Sequence, residues 1–294
     1  MTSSPSVSVV IPVRNGADWI DEQLTALAAQ DFDGTWEVVI ADNGSTDDTR
    51  ERVGARADAF PVRLRVVDAG RRPGISHARN TGLLASTAPL VAFCDADDRA
   101  DSRWLSAAVG ALADLEVVSG ETRLLGERAG PEAEVLDLAR AVVGCNFAVR
   151  RATYLEIGGM DEGLPPYGCE EFELAIRAEA AHVRIGVDET MVMFHRPTEG
   201  FTHVVTKIYR SATAEAVVWQ RHPTRFADRL RLRYPVGGLL RLPALWLADV
   251  RAGRGFDRRA AARRVVTLVG NIAGLVLLRR GAYAEPVLIR EQRA

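Results

Sequence analysis

Val91-Ala92-Phe93-Cys94-Asp95-Ala96-Asp97-Asp98 sets an apolar run directly against three carboxylates. The apolar half has the texture of a buried strand. Carboxylates this close repel one another, and burying them unpaired is costly, so the cluster asks for a cation. Asp-x-Asp at a strand end offers hard oxygen ligands of the kind Mg²⁺ or Mn²⁺ takes. The competing reading is a solvated turn, since a chain with 39 acidic residues in 294 contains some acidic-x-acidic triplets by chance. The surrounding chain decides between them.

Working outward, Val7–Val13 predicts a buried strand and Asp18–Gln30 a helix by the spacing of Trp19, Ile20, Leu24 and Leu27. Trp36–Ala41 predicts a second strand, closed by the turn signal Asp42-Asn43-Gly44. Ser45-Thr46-Asp47-Asp48 reads as a capping box opening a helix to about Ala59. Val62–Val67 predicts a third strand, Ile75–Ala85 a helix and Leu90–Cys94 a fourth strand that delivers the acidic cluster. Strands alternating with helices predict a parallel, doubly wound sheet, whose ligands sit at the carboxyl ends of its strands. Pro12, Arg14, Asp42 and Asp95 all fall at such ends, which favours the cation reading of the cluster.

Further on, Trp104–Leu112 predicts a helix, Glu116–Ser119 and Gly144–Arg150 strands, and Gly126–Glu134 a loop. Gly158–Gly163 and Pro165–Gly168 are loop material leading into a helix that opens at Glu170-Glu171 and runs to about Ala181. Val183–Val187 and Thr190–Phe194 predict two strands, the second ending at His195.

Charge divides the chain. Residues 1–195 hold 18 Lys+Arg against 32 Asp+Glu, and residues 196–294 hold 19 against 7. The basic portion places arginines among apolar residues, as in Arg229-Leu230-Arg231-Leu232-Arg233. Val265–Leu278 is an apolar run of 14 residues, shorter than the about 20 a bilayer span needs. An amphipathic helix in peripheral contact with a membrane and a helix packed on the acidic body both fit, and both stay open. Aromatic interleaving of the kind that marks nucleic-acid binding is missing from this region, so nucleic acid is not an expected partner. Three widely spaced cysteines, Cys94, Cys145 and Cys169, show neither metal-ligand spacing nor a disulfide framework. With an N-terminus that lacks a basic, signal-like start, they predict a cytoplasmic protein in a reducing setting, with the inner membrane face as its optional surface.

Five blocks in order, SVVIPVRNG (8–16), VVIADNGSTDDT (38–49), GISHARNTG (74–82), FCDADD (93–98) and GGMDEGLPPYGCEEFELAIR (158–177), resemble glycosyltransferase family 2. The resemblance implies a Rossmann-like GT-A fold, with a mostly parallel sheet flanked by helices, over residues 1–200, and a basic amphipathic helical extension over 201–294. It implies inverting transfer of a sugar from a nucleotide-sugar, a UDP-sugar first, to an acceptor hydroxyl on a lipid-linked, polymeric or small acceptor. It also implies site residues. Pro12 and Arg14 would wrap the base and ribose, Asp42 would accept from the nucleobase, and Arg79 would lie near the phosphates. Asp95 would face the ribose and share with Asp97 the holding of Mn²⁺ or Mg²⁺, with Asp98 leaving the register open and His195 as a further ligand. Glu171 would be the base that takes the acceptor proton, with Glu170 beside it as the alternative. Asn146 and the Gly158–Glu162 loop would line the sugar pocket, and Trp104 reads as a core anchor ahead of a sugar-stacking ring. Two rivals are a sugar nucleotidyltransferase, which would want a lysine-bearing glycine loop where Pro12–Gly16 stands, and a non-catalytic sugar-nucleotide-binding relative.

Overall fold

The computed structural model describes residues 4–125, 142–166, 168–253, 257–283 and 285–289. The described residues divide into two units, one within Met1–Asp161, Glu171–Pro197 and Leu288–Ala294, the other within Glu162–Glu170 and Thr198–Val287.

In the first unit, β1 (Val7–Val13), β2 (Trp36–Asp42), β3 (Arg63–Asp68) and β4 (Leu90–Cys94) pair in the order β3-β2-β1-β4, all parallel. Between them run α1 (Ile20–Ala28), α2 (Thr49–Ala57) and α3 (Ile75–Ala85). All seven residues of β1 are buried, because both faces of the sheet are covered. Val9, Ile11, Val38 and Ile40 join α1 and Trp104 on one face, while Val10, Val39, Val91 and Phe93 join Leu83 and Phe147 on the other. That alternation is the period-two pattern of a pleated strand.

Past β4 the sheet becomes mixed. The two-residue β5 (Arg99–Ala100) precedes α4 (Trp104–Ala111), β6 (Val117–Leu124), β7 (Asn146–Arg150), α5 (Arg151–Glu156), α6 (Glu170–Ala180) and β8 (Ile185–His195). β7 runs antiparallel to β4 and β6, and β8 runs parallel to β6 and antiparallel to β5. The two strands expected over 183–194 are one strand, whose pairing with β6 shifts between Gly120 and Glu121. β5 and α5 carry no sequence signal that foretold them. The expected loop at Gly126–Glu134 lies outside the described residues.

The capping box at Ser45–Asp48 does not form. α2 opens after Asp48, which makes no side-chain cap bond. Asp47 instead accepts from the Thr49 N–H at 3.2 Å and from the Ala17 N–H at 3.0 Å, so its carboxylate ties the β1–α1 loop to the β2–α2 loop. Asn15 adds to that tie, accepting from the Thr46 N–H at 2.8 Å.

The second unit is helical, with α7 (Phe201–Arg221), α8 (Pro223–Phe226), α9 (Arg233–Arg251) and α10 (Arg258–Arg279). α10 crosses α7 closely at two glycines. A Cβ on Gly270 would fall 2.7 Å from Ala212 Cβ, and one on Gly274 would fall 2.5 Å from the Thr213 carbonyl oxygen. The buried Asn271 between them donates to the Ala212 carbonyl at 2.8 Å. The apolar run at 265–278 is thus part of a 22-residue helix, longer than the run alone suggested, and by length and composition α10 is able to cross a membrane.

Gln23 on α1 connects the core to the acidic loop. It is fully buried, donates to the Asp95 carbonyl at 3.1 Å and accepts from the Ala100 N–H at 3.0 Å, pinning both ends of residues 95–100. Gln23→Leu keeps the shape and strands those two backbone groups. It should cost about 1–3 kcal/mol in urea unfolding.

Candidate active site

β4 ends at Cys94, and the chain turns so that Asp95, Asp97 and Asp98 bring ligand oxygens within 4.8 Å of one another. Asp97 is exposed and Asp98 is 1% exposed. Asp98 Oδ1 is held by His195 Nδ1 at 2.9 Å and by the Arg196 N–H at 3.0 Å, both at the end of β8. Its other oxygen, Oδ2, is buried with no hydrogen-bond partner among the described residues. A buried carboxylate oxygen left bare beside two further carboxylates fits a divalent cation. Asp98, Cys145 and His195 form a second set of close donors that shares Asp98 with the first. Burial pushes the Cys145 thiol well up, and the charges of Asp95 and Asp98 push it further.

Arg79 joins this cluster to α6. Its guanidinium is 1% exposed, although its helix position alone was compatible with a solvent-facing side chain. Nη2 donates to Asp95 Oδ1 at 3.0 Å and to the Gly144 carbonyl at 2.8 Å, and Nη1 donates to Glu171 Oε1 at 2.9 Å. One buried cation therefore faces two carboxylates from elements far apart in sequence. Burial pushes the Asp95 carboxyl up to about 6, with Arg79 opposing that rise and Asp98 and Asp97 adding to it. Glu171 sits in the first turn of α6, and the chain passes it at Gly144 with no room for a side chain. A Cβ there would lie 1.8 Å from Glu171 Oε1.

The neighbouring loop is fixed by Asn80, next to Arg79 on α3. Asn80 Oδ1 accepts from the Tyr154 hydroxyl at 2.8 Å and the Met160 N–H at 3.0 Å, and its amide donates to the Met160 carbonyl at 2.9 Å. On the other side, Arg177 of α6 donates to the Gly159 carbonyl at 2.6 Å. Gly158 and Gly159 adopt φ of 83° and 64° in this turn, a region in which side chains are strained.

The structure brings together Arg79, Asp95, Asp97, Asp98, Glu171 and His195. Of the acidic pair on α6, Glu171 meets Arg79, whereas Glu170 is buried. Pro12 is buried at the end of β1, and Arg14 is exposed just beyond it. Asp42 stands apart: its side chain is 0% exposed, engaged by the Arg50 guanidinium and by the Ser45 N–H at 3.1 Å. Asn146 does not offer its amide to a pocket. It is fully buried, accepts from the Trp104 indole N–H at 2.8 Å and donates to the Glu121 and Met191 carbonyls. Trp104 is accordingly a core anchor. Sequence reasoning placed Asp98 behind its neighbours and missed Gln23, Gly144 and Cys145. The signal for Asp98 was present in the cluster, while the other three act through contacts distant in sequence.

Comparison with known proteins agrees with this architecture. The solved mannosyltransferase PcManGT from Pyrobaculum calidifontis, in complex with GDP-Man and Mn²⁺, superposes with a TM-score of 0.68 at 21% identity, covering 94% of this chain and 87% of that one. S. aureus TarS 1–349 in complex with UDP-GlcNAc superposes at 0.57 and 18% identity, covering 95% and 93%. The sheet and its flanking helices thus have the GT-A fold. Residues 8–130 match the model of glycosyl transferase family 2, and glycosyltransferase AglE of Haloferax volcanii is 27% identical over 252 residues, covering 79% of each chain. Over residues 8–130 the chain is thus similar to glycosyltransferase family 2. It spans little more than half the length of other curated relatives, 56% and 50% for two of them.

Removing the buried cation should be costly, because it leaves two carboxylates facing each other. Arg79→Ala should lose about 3 kcal/mol in chemical denaturation. Arg79→Lys, which keeps the charge and loses the fork, should recover part of that loss.

Proposed function

We propose that this glycosyltransferase moves a sugar from a nucleotide-sugar to an acceptor hydroxyl with inversion at the anomeric carbon, using a divalent cation. The observation that carries the reading is the grouping of Glu171 with the Asp95–Asp98 carboxylates around Arg79. Arg79 holds Glu171 Oε1 and so fixes the plane of that carboxylate, which leaves Oε2 to receive the acceptor proton. As the acceptor oxygen bonds to the anomeric carbon, its proton passes to Glu171, and the carbon–oxygen bond to the diphosphate breaks with its electron pair leaving on the phosphate. Asp97 and Asp98, with Asp95 beside them and His195 as a further donor, would hold Mn²⁺ or Mg²⁺, and His195 Nδ1 orients Asp98. When bound, the cation supplies Lewis-acid neutralisation of the departing diphosphate.

The relatives' GDP-Man and UDP-GlcNAc complexes support a nucleotide-sugar donor. We place UDP-sugars first on the carboxylate of Asp42, which suits an N–H on the base edge once Arg50, half exposed, swings aside. Pro12 and Arg14 lie at the carboxyl end of β1, where Val13 pairs with Asp42 of β2. We assign the chemistry to residues 1–200 and the basic extension to 201–294; the break between the two units at Pro197/Thr198 supports this boundary, while Glu162–Glu170 group with the second unit and Leu288 onward with the first. A reducing, cytoplasmic setting is supported by three free cysteines, and a membrane surface is the proposed place of a lipid-linked or polymeric acceptor.

Glu171→Gln should keep donor binding in a thermal-shift assay while lowering transfer about 10²–10⁴-fold. Retained turnover would move the base elsewhere. EDTA should abolish UDP release from the wild-type chain, and Mn²⁺ should restore it.

A further inference from the structure

α9 is buried along one side, through Pro235 and Leu242, and bare along the next. Val236, Leu240, Pro243, Leu247 and Val250 are all exposed, with Leu240 at 77% and Leu247 and Val250 at about half. Their spacing of four, three, four and three residues gathers them into an arc of about 80° on a helix of 3.6 residues per turn. Scattered single apolar residues need no explanation, but a continuous stripe on one helix does. Arg233 and Arg251 stand at its edge and Arg241 farther round, all exposed. The sequences of α9 and α10 together hold eight arginines and one acid, Asp249. Five of the eight belong to α10, four of them in its first two turns.

We infer that the exposed stripe of α9 is a docking surface for an anionic lipid bilayer, lying in the interface with its leucines in the acyl boundary and its arginines at the headgroups. The inference rests on the membrane-facing reading of the extension and adds which face makes the contact. Apolar side chains flanked by arginine, with almost no acid, fit a surface that is greasy beneath and negative above. A protein partner would have to be both apolar and strongly acidic to fit as well. α10 presents one face to α7 through Gly270 and Gly274, which favours contact at the surface over crossing.

The test uses the full chain and vesicles of phosphatidylcholine with or without a quarter phosphatidylglycerol. The chain should sediment with the anionic vesicles, release in high salt and ignore the neutral ones. Leu240→Glu/Leu247→Glu should lower anionic binding about tenfold or more. Leu84→Glu, at an exposed leucine of the first unit, should leave it unchanged. UDP release should be the same in all three proteins, so a failure of docking is separable from a failure of the transfer reading. Equal binding to neutral vesicles, salt-resistant binding, or unchanged binding of the double variant would overturn the inference. So would a wild-type dimer, by light scattering, that the double variant dissociates without any lipid binding, since a second copy would then be the occupant.

Discussion

A guanidinium that stays charged at every accessible pH lies 1% exposed inside this protein, and its two carboxylate partners determine where the rest of the site goes. Taking such an ion out of water costs several kcal/mol, which only close counter-charges and hydrogen bonds offset. Arg79 finds them in Asp95, Glu171 and the Gly144 carbonyl. That requirement fixes the end of β4, the first turn of α6 and the approach to β7 relative to α3. It also accounts for the missing side chain at residue 144, where a Cβ would meet Glu171 Oε1.

The same constraint arranges the chemistry. Arg79 balances part of the negative charge and leaves the Oδ2 oxygen of Asp98 without a hydrogen-bond partner among the described residues. Asp95, drawn two ways, is an anchor to the protein as much as a ligand. Asp98 is placed by His195 and Arg196 at the end of β8, and Gln23 clamps both ends of the loop. The carboxylates are therefore held close together by the fold in spite of their repulsion.

The parallel half of the sheet was legible because each of its strands is a short apolar run ended by a turn signal. β1, α3 and β4 fall on their expected residues. The mixed half was not, since whether β7 runs against β4 or β6 beside β8 depends on pairings across the chain. Local chemistry misled at Ser45–Asp48, where no capping box forms and Asp47 ties a neighbouring loop to the start of α2. It misled at Asn146 too, whose amide is spent on Trp104 and two carbonyls. At Asp42 the residue was visible but its partner Arg50 was not. The burial of Arg79 was invisible for the same reason, because Glu171 lies 92 residues away. Charge asymmetry along the chain did survive into structure, with arginines concentrated on the helices of the second unit.

The central claim is that these carboxylates hold one divalent cation together with a nucleotide diphosphate. Its most direct test is a titration of the full chain with Mn²⁺, followed through the electron paramagnetic resonance signal of the free ion, with and without UDP. One ion should bind per chain, more tightly with UDP, and Asp98→Asn should lose it while its unfolding transition stays cooperative. Equal Mn²⁺ binding by wild type and Asp98→Asn, with no effect of UDP on either, would contradict it.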